Sequence, residues 1–130
     1  MITITQRHNE ARLQGSLDDL NRGTGNPAVR VYGGERPAQA SGVPTSAMLV
    51  EIPLTKPAGV VANGLLTLTQ EVNGLIANTG VATWARFVDG NGETCFDADA
   101  GEGEGPWEVQ LAKAQLYAGG QARIVSAILG

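Results

Sequence analysis

Short runs of alternating apolar and polar residues fill most of this chain. Glycine, proline and asparagine cut them at intervals of roughly 8–12 residues, the spacing of an all-β domain. Only one stretch departs from the pattern. From Thr5 to Arg22 the apolar positions Leu13, Leu17 and Leu20 recur at helical spacing, and Ala11 extends the stripe. Thr3 or Thr5 suits the start as a cap. Arg22 followed by Gly23 suits the end, where a cation meets the helix dipole and glycine takes a left-handed turn.

The remainder, about residues 28–130, reads as strands. Ala28–Tyr32 puts Val29 and Val31 on one face. Ala47–Leu54 does the same with Met48, Val50, Ile52 and Leu54, and Pro53 marks an edge or a bulge. Lys56–Gly59 is expected to turn the chain before Gly64–Thr69, a segment rich in β-formers, and Leu75 with Ile76 begins another strand. Val81–Val88 alternates cleanly and runs into Asp89-Gly-Asn-Gly92, whose glycines and asparagine tolerate the positive φ of a hairpin turn. Trp107–Leu111 and Ala122–Leu129 complete the set. The last of these is apolar on both faces, so it has to lie centrally or be covered by a partner.

These features predict a mostly β, single-domain chain: a β-sandwich of about seven or eight short strands with one N-terminal amphipathic helix. A two-layer sandwich is favoured over a barrel. Residues Gly33–Ser46, with their small side chains and prolines, read as a long surface loop. Asp97–Pro106, with four carboxylates and three glycines, reads as an exposed, mobile acidic loop.

Chemistry narrows the function classes. At 130 residues and 42% apolar content, one core without metal or disulfide is expected. The net charge of −4 and nine basic residues argue against a nucleic-acid surface. No apolar run approaches the length of a membrane span, and the start lacks the pattern of a signal peptide, so synthesis in the cytoplasm is expected. One histidine, His8, and one cysteine, Cys95, stand in unrelated elements, which leaves no nucleophile and base pair and predicts a non-enzyme. His8 reads as a solvated helix residue and Cys95 as a small core side chain. Asp89-Gly-Asn-Gly-Glu93 resembles the start of a calcium loop, but Ala100 stands where the bidentate glutamate belongs, so a hairpin turn is preferred. No cofactor or metal is expected. Trp84 and Trp107 are the candidates for an exposed stacking face.

The order of features is similar to that of small structural proteins of tailed bacteriophages. The resemblance rests on the Leu13, Leu17, Leu20 helix and on Val29-Arg-Val-Tyr-Gly-Gly-Glu-Arg-Pro37, Leu49-Val-Glu-Ile-Pro-Leu54 and Gly80-Val-Ala-Thr-Trp-Ala-Arg-Phe-Val-Asp-Gly-Asn-Gly92. It spans nearly the whole chain. It implies a head decoration or cement protein, a jelly-roll-like sandwich seated on the outer capsid surface of the virion. The partners it implies are the major capsid protein and further copies of this chain, as a dimer or trimer. The alternatives are a tail, neck or baseplate accessory protein, or a host-surface glycan-binding module. Contacts are expected from the helix stripe Leu13, Leu17 and Leu20, from Glu35 and Arg36 in the long loop, and from Asp97, Asp99, Glu102 and Glu104 in the acidic segment.

Overall fold

A computed structural model describes residues 1–130. Helix α1 covers Gln6–Leu20. It begins where Thr5, in extended backbone, accepts a hydrogen bond on its hydroxyl from the His8 amide at 3.1 Å. Asn21 caps its end, and Gly23 follows with a φ of 88°. The helix is the one expected, trimmed at both ends.

Eleven strands follow. They are β1 (Ala28–Tyr32), β2 (Met48–Ala62), β3 (Leu65–Gln70), β4 (Gly74–Leu75), β5 (Gly80–Val81), β6 (Trp84–Val88), β7 (Thr94–Glu102), β8 (Val109–Leu111), β9 (Gln115–Leu116), β10 (Gln121–Ala122) and β11 (Ile124–Leu129). Seven of them close into a barrel in the order β1-β2-β3-β11-β8-β7-β6. The two-residue strands pair outside it, β4 with β10 and β5 with β9.

The chain is therefore mostly β with an N-terminal helix, but its main sheet closes on itself where a two-layer sandwich was expected. Alternation along a strand reports one inward face and says nothing about which distant strands meet, so both architectures write the same pattern. Two seams decide it. One is β3 against β11, where only Thr67 with Ile128 and Leu66 with Leu129 are paired. Beyond them the Gln70 side-chain carbonyl takes over, accepting the Ile124 amide at 2.6 Å. The other is a parallel seam in which Ala100, Gly101 and Glu102 of β7 face Val109, Gln110 and Leu111 of β8. Strand β11 lies between β3 and β8, so its central position supplies part of the cover its composition demands.

Strand β2 is longer than expected. Lys56–Gly59 does not turn the chain; it forms a bulge inside one bent strand, since Leu54 faces Gln70 whereas Gly59 already faces Leu68. The bulge has a purpose in the fold. Its Ala58 amide donates to the Asn21 side-chain oxygen at 2.9 Å, and the Lys56 ammonium donates to the carbonyls of Gly23 and Gly25. It thus ties the end of α1 and the following loop to the barrel.

Inward residues of the strands, among them Val29, Val50, Ile52, Leu66, Phe87 and Leu111, share one core with Leu13, Leu17 and Leu20 of the helix. The helix packs on β2 and β3 and reaches β7. Its leucine stripe is buried against this chain's own barrel, so these three residues are not a free contact surface as expected.

A candidate partner-binding rim

The outer surface of β1, β6 and β7 carries two cross-strand rows of functional groups. In the first, Glu51, Arg30, Arg86 and Asp97 are successive neighbours across β2, β1, β6 and β7. The two arginines face each other, which would repel, but each has its own carboxylate. Arg30 donates to Glu51 at 2.8 Å. Arg86 makes two bonds to Asp97, of 2.8 and 3.1 Å, and its guanidinium lies 5.3 Å from the Trp84 ring centre.

The Arg86 and Asp97 side chains are only 8% and 6% exposed. The hydrogen bond to Asp97 raises the Arg86 pKa further, outweighing the opposing effect of burial. Asp97 was expected in an exposed loop as a contact residue. It is instead half of a buried ion pair inside strand β7.

In the second row Tyr32, Trp84 and Asp99 are neighbours. Trp84 is 1% exposed, stacked on Tyr32 with ring centres 4.5 Å apart, and its indole N–H donates to the Gly33 carbonyl. It offers no stacking face to a ligand. Asp99 is different, with a side chain 56% exposed that meets Arg36 of the Gly33–Ser46 loop at 3.4 Å.

That contact joins two of the expected contact segments. The loop's roots are fixed as well: Thr83 donates to the Gly34 carbonyl at 2.6 Å, and Ser46 to that of Gly33 at 2.9 Å. Glu35 accepts a bond from the Thr45 hydroxyl on its backbone carbonyl, and its side chain is exposed.

The acidic segment is not a mobile loop over its first half. Asp97–Glu102 lies in β7, with Ala98 and Ala100 buried in the core. A tight reversal, Gly103–Glu108, then returns the chain for the parallel pairing with β8. Its organiser is Trp107, whose indole N–H donates to the Gly103 carbonyl at 2.9 Å.

The indole rests where Gly101 and Gly105 leave room. A Cβ on either would stand 2.4 or 2.2 Å from ring atoms. Glycines that read as sources of mobility therefore act as a seat for the ring.

Two clefts open beside this arrangement and share Thr83. The larger, about 550 Å³, is walled by Trp107, Pro106, Ala82 and Ala114 and carries the carboxylates Asp99 and Glu102. None of its lining residues is basic. The Ala114 amide donates to Glu102 at 3.1 Å, which orients that carboxylate at the wall. The second, about 500 Å³, lies between Gly33, Gly34 and Ser46 on one side and Thr79–Val81 on the other.

The structure thus gathers Arg36, Asp99 and Glu102 at one rim, with Glu104 exposed on the adjoining reversal. It leaves Leu13, Leu17, Leu20 and Asp97 out, buried elsewhere. Nothing local in the sequence signals the pairing of Arg36 with Asp99, which follows from the course of the loop over β7.

His8 is exposed on α1, and Asp89 is a turn residue whose carboxylate accepts the Asn91 and Glu93 amides at 2.9 and 3.0 Å. Cys95 packs against the core, where burial, then a hydrogen bond with Asp19, pushes its pKa from 9.0 to about 12. Iodoacetamide at pH 8 is expected to leave the folded protein unmodified and to label Cys95 once urea unfolds it, as read by mass spectrometry. Rapid labelling of the folded protein would contradict this placement. The sign for stability follows from the same shift. The native thiol keeps its proton where the unfolded one loses it, so Cys95 destabilises the fold as pH rises from about 9 toward 12 and is neutral below that window.

Comparison with protein-family models, with curated proteins and with solved structures finds no match to this chain.

Proposed function

We propose that the chain is a non-enzymatic structural protein of a tailed-phage particle, of the head decoration type, which binds the outer surface of the major capsid protein and reinforces the shell. The observation that supports this most is the convergence of the long loop and the acid-lined cleft on one rim of a closed barrel. A closed barrel leaves its main sheet no edge strand for fibril-like addition, which suits a protein displayed in many copies.

The sequence resemblance supports the same reading, and location on the virion after synthesis in the host cytoplasm belongs to the proposal. Self-association belongs to the proposal as well. Val60, Thr67 and Ile128 are cross-strand neighbours on the outside of β2, β3 and β11, and Val60, Leu65 and Ile128 are exposed.

Quantitative mass spectrometry of purified particles tests this reading. Hundreds of copies per particle are expected. A handful would overturn the capsid role in favour of a tail, neck or baseplate position.

One observation favours a second reading, a host-surface glycan module: Trp107, partly exposed, walls a cleft with two carboxylates. Binding on a glycan array that disappears with Trp107→Ala would support it.

A further inference from the structure

We propose that the Trp107 cleft is the receptor for a basic side chain, an arginine or lysine presented by the partner protein, and that this chain's own Arg36 competes for the same carboxylate. The inference rests on the reading that the rim contacts another protein, and it names the chemistry of that contact.

The chain contains its own template for such a site. At Trp84, Arg86 and Asp97 an aromatic ring, a guanidinium and a carboxylate form a closed set, with bonds of 2.8 and 3.1 Å. Next to it, Trp107, Asp99 and Glu102 repeat the aromatic ring and the carboxylates around an open space of about 550 Å³. What this second set lacks is the cation. Cleft volumes of roughly 300–1,000 Å³ are those in which ligand groups are buried.

Arg36, which does not line the cleft, reaches Asp99 only loosely. Its 3.4 Å approach to Asp99 exceeds the roughly 2.7–2.9 Å of a tight charge-assisted bond. The side chains of Arg36 and Asp99 are 41% and 56% exposed, so solvent screens the pair and its exchange for a better-placed cation costs little.

The receiving groups are preorganised. The Trp107 indole is fixed by its bond to Gly103 and by its seat on Gly101, and Glu102 is held by the Ala114 amide. An incoming guanidinium would meet a ring already in place, adding a cation–π contact to the ion pair. The excess of acidic over basic residues favours the approach of such a group.

The test follows the two indole N–H resonances by ¹H–¹⁵N NMR while N-acetylarginine amide is added through the millimolar range at constant ionic strength. The neutral isostere N-acetylcitrulline amide serves as control. Trp107 is expected to shift saturably with the arginine probe and not with the citrulline probe, while buried Trp84 stays still. The double variant Asp99→Asn, Glu102→Gln should weaken binding about tenfold, the loss of one charge-assisted contact. Arg36→Ala should strengthen it, because the competitor is gone.

A Trp107 signal that ignores arginine, or answers citrulline equally, would overturn the proposal. A response to neutral oligosaccharides alone would overturn it too and assign the cleft to a glycan. Particle copy number is read independently. Many copies with a silent Trp107 would refute the cation site and leave the capsid role, whereas few copies with a responsive Trp107 would do the reverse.

Discussion

Replacing Asp97 with alanine is expected to destabilise the protein by about 3–5 kcal/mol, the usual cost of leaving one member of a buried ion pair without its partner. The reason lies in where Arg86 sits. Its side chain is 8% exposed and fixed beside Trp84 in the middle of β6, so without Asp97 the charge stays largely out of water. The guanidinium cannot discharge either, because arginine stays protonated throughout the accessible pH range.

Urea denaturation of Asp97→Ala should show a lower midpoint with little change in slope. Asp99→Ala, one position further along the same outward face, should change stability by no more than about 0.5 kcal/mol, since its ion pair is solvent-screened. Equal losses from the two substitutions would contradict the distinction drawn between them. The comparison separates carboxylates that sequence alone places in one acidic run.

Leu20→Ala is expected to cost about 2–5 kcal/mol, through lost transfer energy and the cavity left behind. Leu20 is 0% exposed and stands at the end of α1, beside the point where Asn21 bonds to the β2 bulge. Were the helix an appendage that waits for a neighbouring subunit, truncating its stripe would leave monomer stability unchanged. An unchanged urea midpoint would therefore return Leu13, Leu17 and Leu20 to the contact surface. Leu75→Ala, at an exposed apolar position, serves as the control and should shift stability by no more than about 0.5 kcal/mol.

Elements whose patterns are local were legible in the sequence. Ala28–Tyr32 alternates and forms β1 over those residues, and the leucine stripe marks α1 to within two residues at either end. The Asp89–Gly92 turn is where two tolerant dipeptides placed it. Elements imposed from a distance were not. Asp-Ala-Asp-Ala-Gly-Glu is poor in β-formers, and Asp97–Glu102 becomes a strand because β6 and β8 flank it and its alanines are small enough to face the core.

Likewise Lys56–Gly59 reads as a turn, yet the bulge keeps it in β2 because the helix end and the Gly23–Gly25 carbonyls need partners there. The choice of barrel over sandwich rests on the β3–β11 seam, which joins residues far apart in the chain, and on the parallel β7–β8 seam, whose direction no alternation pattern reports. The rim followed the same rule. Arg36, Asp99 and Glu102 each stood out as charged residues in broken segments, but their proximity depends on the course of the long loop and of β7, and the exclusion of Asp97 on its place opposite Arg86.

A single reconstruction of particles carrying the protein tests the capsid role most directly. The expected result is copies repeated regularly over the head lattice, standing on the rim formed by Arg36, Asp99 and Trp107, with helix α1 turned away from the shell. Density confined to the tail or to one vertex, or copies that meet the shell through α1, would contradict it.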